Sequence, residues 1–246
     1  MDNIVYVNIN ELKPHPKNQE LFDDITGEKW DRFKCSIYEN GILSPLTITE
    51  DNIIINGHQR FRAINELEKE HTDGQRFEQV PCVIKKYEND NAMLVDLIEL
   101  NIEQRAITKM NPVKFAKCIE LIKNVYSITR GGDHKSQEAK ESNETKFSLK
   151  DLAKKFGKTE QYLNKLQKLL KLIPEIQDSV QFVSDDSKIK KKLSVNKALL
   201  LVDKSEEFQK NFIVKNTINE IKKMKIADLE TKIKEFTNTY IDNAQN

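Results

Sequence analysis

Cysteine is scarce in this sequence: Cys35, Cys82 and Cys118 are all that 246 residues contain. Three thiols, far apart and each among apolar neighbours, read as free core cysteines and exclude a disulfide framework. A three-cysteine metal site without histidine support is not expected. Long apolar runs are missing too. No stretch of 18 or more apolar residues occurs, and the opening Met1-Asp2-Asn3-Ile4 has no basic region followed by an apolar one. The expectation is a cytoplasmic protein with no membrane partner. Aromatics are only 7% against 32% charged residues, the composition of a water-soluble and rather helical chain long enough to bury one large core or two ordinary ones.

Net charge is nearly absent at +1, but the balance hides an asymmetry. Residues 1–110 hold 13 Lys/Arg against 20 Asp/Glu, whereas residues 111–246 hold 27 against 19. The basic second part points to a polyanion, although lysine-rich helices are also simply soluble.

Residues 53–67 are the most informative stretch of the first part. Ile53, Ile54 and Ile55 read as a buried strand, Gly57 permits a sharp turn, and Phe61, Ala63, Ile64 and Leu67 follow at helical spacing. The first turn of that helix carries His58, Gln59, Arg60 and Arg62 beside unpaired backbone N–H groups, which suits a phosphate. A plain strand-to-helix turn with solvated arginines has the same pattern. Around it, residues 4–9 alternate as a strand and a helix begins near Glu28, with Trp30, Phe33 and Ile37 on one face and Gly41 as its stop. Residues 46–49 and 53–55 flank a turn at Asp51-Asn52, a polar loop through Gly74 leads to a strand over 80–86, and a helix covers 91–103. This is a compact α+β unit.

Asn111-Pro112 starts a helix whose stripe is Val113, Ala116, Ile119, Ile122 and Val125. Residues 130–146, with Gly131-Gly132 and almost no apolar side chain, read as a surface loop. Next, Ser148 and Asp151 form a capping-box-like start, Leu149, Leu152, Ala153 and Phe156 an inner face, and Gly157 a stop. Thr159 caps a second helix that buries Tyr162, Leu163, Leu166, Leu169 and Leu170. The order of small residue, glycine and two apolar anchors is that of a helix-turn-helix. Its polar face offers Lys158, Gln161, Asn164, Lys165 and Lys168: amides to read adenine edges, lysines for phosphates or guanine. Residues 144–172 carry eight lysines against three acids. An ordinary helical hairpin with a solvated lysine face is the alternative.

Several motifs in sequence order resemble those of the ParB/RepB family of plasmid and chromosome partition proteins. Gly57-His58-Gln59-Arg60-Phe61-Arg62-Ala63 is similar to its second box, Gly-x-x-Arg-x-x-Ala. Leu12-Lys13-Pro14-His15-Pro16-Lys17-Asn18, Ser36-Ile37 and Asn40-Gly41-Ile42-Leu43-Ser44-Pro45-Leu46 resemble the first box and the segment after it, and Gln104-Arg105 occupies the place of the third. The likeness runs from about Leu12 to about Glu235, including the stretches 166–174 and 193–201, which resemble the family's chain after the recognition helix. It implies a small ParB/sulfiredoxin-like α+β domain over 1–110, followed by an all-α DNA-binding domain over 111–246 with the helix-turn-helix at 148–170.

The resemblance further implies that the first domain binds CTP with Mg2+ and uses it to close a protein clamp on DNA. Carried over by position, Asn18, Gly57, His58, Gln59, Arg60, Arg62, Gln104 and Arg105 would hold nucleotide or phosphate. Lys158, Thr159, Gln161, Asn164, Lys165 and Lys168 would hold double-stranded DNA. A ParA-like ATPase partner, a homodimer, and a nucleoid or plasmid location are implied as well. No residue is assigned a catalytic role or a metal. His58 stands where many members have glutamate, the third box lacks its Glu-Asn in register, and no arginine follows Asn18, so hydrolysis is expected to be at most that of a weak CTPase switch. Residues 208–236 read as closing amphipathic helices and residues 187–192 as a basic stretch near phosphates or a solvated linker, and a counterpart of the family's further dimerisation domain is not expected within these residues.

Enzymes on a related fold are the competing reading. Free-serine kinases resemble Asp-Gly-His-His-Arg at this turn, whereas Asn56 here is no carboxylate base, and sulfiredoxin needs a cysteine where His58 stands. A nuclease would use clustered acids such as Glu20, Asp23 and Asp24. A plain repressor, with a first domain serving only protein contacts, is the third possibility.

Overall fold

The structure, a computed structural model, describes residues 3–70, 77–105, 107, 110–127, 147–183 and 192–244, with side chains to 239. The loop expected at 130–146, the turn through Gly74 and most of the basic run 187–192 lie outside the described residues. The chain divides into two compact units, Met1–Ala106 and Ile107–Asn246.

The first unit is α+β. Its strands β1 (Ile4–Asn8), β2 (Lys13–Pro14), β3 (Leu46–Ile48), β4 (Ile53–Asn56) and β5 (Gln79–Ile84) form one sheet in the order β1-β5-β3-β4-β2. β1 pairs antiparallel with β5 and β3 with β4, while β3–β5 and β2–β4 are parallel. A one-turn helix α1 (Asn18–Leu21) precedes α2 (Glu28–Asn40), and α3 (His58–Glu70) leaves directly from β4. Alternation along β4 separates two packed faces. Ile54 joins the core with Trp30 and Ile37 of α2, Ala63, Ile64 and Leu67 of α3, and Val80 and Cys82 of β5. Ile55 points the other way and is also fully buried; α4 (Asp90–Gln104) packs on β4, with Asn101 Nδ2 donating to the Ile55 and Leu97 carbonyls (3.5 and 2.8 Å). Each fully buried leucine or isoleucine here contributes about 2 kcal/mol.

Among the described residues, the second unit is helical apart from one short parallel pair, β6 (Val180–Gln181) and β7 (Leu193–Ser194). α5 (Pro112–Val125) is capped by Asn111, whose side chain accepts from the Val113 and Lys114 N–H groups. It packs on α7 (Glu160–Gln167), which follows α6 (Leu149–Lys155) through Gly157. Phe115 and Phe156 meet edge to face at 5.7 Å between them. Where the spacing predicts one helix to Leu170, α7 ends at Gln167 and a tighter 3-10 turn, Lys168–Lys171, completes it. That turn lets Leu169 stay buried while Leu170 is only half-buried. α8 (Pro174–Gln177), α9 (Val195–Leu199), α10 (Glu206–Lys215), α11 (Ile218–Lys223) and α12 (Ile226–Ala244) finish the unit. Gln209 ties them centrally: fully buried, it accepts from the Ile173 N–H and donates to the Lys171 and Lys204 carbonyls.

One thiol departs from expectation. Cys82 and Cys118 are buried, but Cys35 is exposed on the outer side of α2 and donates to Glu39 at 3.5 Å. Apolar neighbours in sequence do not fix the face of a helix; the 100° step per residue turns Cys35 away from the Trp30/Ile37 stripe.

Candidate functional site

The turn between β4 and α3 is tightly determined. Gly57 has φ +111°, and a Cβ there would lie 2.6 Å from Leu46 Cγ and 3.1 Å from Arg60 Nη2. The first bond of α3 runs from Phe61 N–H to the Gly57 carbonyl (2.9 Å), so the N–H groups of His58, Gln59 and Arg60 have no acceptor within the helix.

His58 is the centre of what gathers there. It is 7% exposed, and its Nε2 accepts the His15 N–H (3.2 Å). The proton therefore sits on Nδ1, a buried donor without a protein partner. Burial above all, then His15 and the Arg105 charge, push its pKa down to about 4, with Asp24 pulling weakly the other way. His58 is thus a neutral donor at pH 7. Asn18, 5% exposed, has an equally unpartnered Oδ1, and its backbone N–H donates to the carbonyl of His15 (3.0 Å), the residue whose own N–H meets His58. Burial also lowers the pKa of His15, whose Nδ1 accepts the Lys17 N–H (3.1 Å). Arg105 caps the end of α4, donates to the Asp23 carbonyl (2.7 Å) and lies 5.4 Å over the Phe22 ring.

The other residues singled out from sequence divide. Gln59 staples the loop before α2, donating to Asp24 Oδ1 (2.6 Å) and accepting from the Ile25 N–H (3.1 Å). Arg60 turns inward beneath Gly57, where Nη1 donates to the Ser44 and Pro45 carbonyls (2.8 Å to the latter) and Nη2 to Asn56 Oδ1 (3.4 Å). Arg62 stacks 3.7 Å over the Trp30 ring and is held by Glu66 (3.1 Å) and the Ile25 carbonyl (3.0 Å). Gln104 is exposed. His58 therefore feels the Arg105 charge and is joined to Asn18 through the backbone of His15, whereas Arg60 and Arg62 are engaged by their own domain. His15 completes the group; it stands inside the Leu12–Asn18 motif, and that was the signal for it.

The acids weighed for a nuclease do not converge. Glu20 pairs with Lys17 and Asp24 with Gln59, and among the described residues no three His, Cys, Asp or Glu side chains could share a metal ion.

Stability should follow His58. Because its folded pKa lies near 4 and its ordinary value is 6.5, the burial of neutral His58 is fully stabilising above about pH 6.5 and is lost as pH falls toward 4. We expect urea unfolding of the first unit to lose on the order of 3 kcal/mol across that window, and His58→Asn to flatten the loss.

The second unit presents α7 as an outward helix. Ser148 and Asp151 form a reciprocal capping box, Gly157 takes φ +60°, and Lys158 N–H closes the turn on the Ala153 carbonyl (2.8 Å). Thr159 caps α7 through its hydroxyl, which accepts the Tyr162 N–H (3.2 Å). Leu163 and Leu166 are buried; Gln161, Lys165 and Lys168 are exposed, and Lys158 and Asn164 half-exposed. Grooves run along both sides. One, of about 730 Å³, lies toward α6 beside Lys150, Lys154 and Lys158. The other lies between Gln161, Lys165 and Lys168 and the wall of Leu199, Val202 and Asp203. Asn164 lines both, with a buried Oδ1 that has no protein partner. Lys165 Nζ donates to Asn196 Oδ1 at 2.9 Å. Sequence spacing identified the α7 face but not Asn196, whose closeness to Lys165 arises only in three dimensions.

Comparison with known proteins agrees with this architecture. Residues 1–102 match the family model of the ParB N-terminal domain. The probable chromosome-partitioning protein ParB of Borreliella burgdorferi is 26% identical over 217 residues, covering 86% of this chain and 66% of that protein. This chain spans 39% to 66% of the lengths of the curated relatives it matches. The fold resembles a C-terminally truncated ParB from Caulobacter crescentus, solved in complex with the centromeric parS site (TM-score 0.50, 16% identity, covering 94% of this chain and 99% of that one). It also resembles a pNOB8-like ParB N-domain (TM-score 0.51, 15% identity, 95% and 99%). No helix among the described residues is long and apolar enough to cross a membrane. Residues 1–102 are thus a ParB N-terminal domain, and over most of its length the chain resembles ParB-type proteins in sequence and in fold.

Proposed function

We propose that this chain is a DNA-binding partition protein that sets α7 into the major groove and whose N-terminal domain takes CTP as a switch. The observation that carries the DNA reading is the outward face of α7: Gln161, Asn164, Lys165 and Lys168 lie together along grooves while Leu163 and Leu166 anchor the helix behind them. An α-helix with amides among lysines can read base edges and contact phosphates at once. The Caulobacter crescentus relative bound to parS lends the same direction.

The nucleotide reading rests on the α3 N-terminus. Open N–H groups, the neutral His58 Nδ1–H and the nearby Arg105 charge make a donor set that fits phosphate oxygens. Mg2+ would arrive on the phosphates, which need few protein ligands around it. A bound triphosphate supplies a stabilising contact between the loop of His15 and Asn18, the start of α3 and the end of α4. A homodimer, a ParA-like ATPase partner and association with nucleoid or plasmid belong to the same proposal.

A repressor without a nucleotide switch is the second reading, favoured by one observation: Arg60 and Arg62 are both engaged by their own domain. Pull-down of fragmented host DNA followed by sequencing, with and without CTP, separates the two. Enrichment of one site that changes with CTP is the expected result; enrichment indifferent to every nucleotide favours the repressor, and no enrichment at all sinks both. In the same assay, Gln161→Ala should relax base preference, costing about 1–3 kcal/mol on the preferred site, while Lys165→Ala should weaken all sequences about equally.

A further inference from the structure

We propose that Asn196, on α9, is a positioning residue that holds Lys165 of the recognition helix in its DNA-contacting pose. The inference rests on the reading of α7 as the DNA-facing helix.

Lys165 is the one lysine within α7, and its partner lies on another element. Its ammonium, which lines the groove between α7 and the segment 199–203, donates to Asn196 Oδ1 at 2.9 Å. An exposed lysine ordinarily samples many rotamers, and docking on DNA must freeze them. A partner that already limits those rotamers removes part of that cost before the duplex arrives. The ammonium has three N–H donors, so one bond to Asn196 leaves two for phosphate oxygens. Asn196 is neutral and an acceptor, which lets it hold the cation without cancelling its charge; an acid at 196 would also attract the ammonium but would repel the phosphates.

The strut has a firm base. α9 is only five residues long, too short to be stable by itself. It is fixed instead by its flanks. Ser194 Oγ accepts the Lys197 N–H (3.3 Å), Ala198 is fully buried, and the nearly buried Lys197 (3% exposed) extends its ammonium to the Lys222 carbonyl near the end of α11 (3.0 Å). Asn196 is the exposed residue between these anchors. Its carboxamide is therefore presented from a fixed backbone, and Lys165 is tethered to a second structural element instead of to its own helix.

The test uses the full chain, a fluorescein-labelled duplex of mixed sequence, and nitrogen-15 relaxation of the lysine ammonium groups in the free protein. Asn196→Ala should raise Kd about threefold to tenfold, loosen the Lys165 ammonium without moving the unfolding midpoint, and have no further effect in a Lys165→Ala background. Asn196→Ser, which keeps a shorter acceptor, should recover part of the loss. Equal losses in both backgrounds, no loss in the parent, or an ammonium as mobile in the parent as in Asn196→Ala each overturn the proposal. Should Gln161→Ala and Lys165→Ala both bind as the parent does, the assignment of α7 to DNA fails, and the role of Asn196 in binding with it; an ammonium held by Asn196 in the free protein would still separate that outcome from the absence of the strut.

Discussion

Arg60→Ala should destabilise the N-terminal unit by about 3–5 kcal/mol, read as a lowered urea midpoint and as faster amide hydrogen exchange in β3 and β4. The position in the second family box suggests a phosphate ligand whose loss would abolish anion binding and spare the fold. The contacts give a different result. The Arg60 guanidinium satisfies the carbonyls of Ser44 and Pro45 and the side chain of Asn56, and burial lowers its pKa. Removing it leaves three acceptors at the entrance to β3 and the end of β4 without their donor, each charge-assisted bond being worth about 1.5–3 kcal/mol before non-additivity. Arg60→Lys should recover little, because a single ammonium cannot span acceptors that the planar fork reaches together. An unchanged midpoint with lost nucleotide affinity would restore the ligand role and remove the structural one.

Gly57→Ala should be comparably severe, at least about 3 kcal/mol, and should act through the same turn. Two costs combine. At φ +111° an L side chain is strained by on the order of 1–3 kcal/mol, and the new methyl would lie 2.6 Å from Leu46 Cγ and 3.1 Å from Arg60 Nη2. Leu46 is fully buried within the sheet, so it cannot withdraw cheaply. The double variant Gly57→Ala with Arg60→Ala should cost less than the sum, since the second change clears space that the first one fills. Strict additivity would mean that the methyl and the guanidinium do not meet.

Local signals in the sequence were largely sufficient for the elements. Ser148 with Asp151, Thr159, Asn111-Pro112 and Gly157 act within one helical turn, and the structure realises each as a cap or a turn. The five-stranded sheet was legible as a set of strands, yet its order was not, because parallel pairing of β3 with β5 joins residues that no short-range pattern connects. The candidate phosphate region was harder. Four cationic or donor residues at the start of one helix suggested a single cluster, but at 100° per residue Arg60 lies about 200° around the helix from His58, and Arg62, only about 40° away, is held by partners of its own. Arg60 finds carbonyls 15 and 16 residues earlier in the chain, and Arg62 finds Trp30 on α2. His15 joined the site through its backbone N–H, a contribution that no side-chain pattern reveals.

The stacking of Arg62 on Trp30 gives the molecule a built-in optical gauge. Trp30 is the sole indole of the whole chain, 7% exposed, with its ring N–H bonded to Glu66 at 2.9 Å and a guanidinium 3.7 Å from its centroid. Its emission therefore originates in the N-terminal unit alone, and its intensity depends on how α3 lies against α2. Sliding of one helix along the other would alter the quenching by that guanidinium, so rearrangement of this domain can be followed by intrinsic fluorescence without a label and without interference from the helical unit.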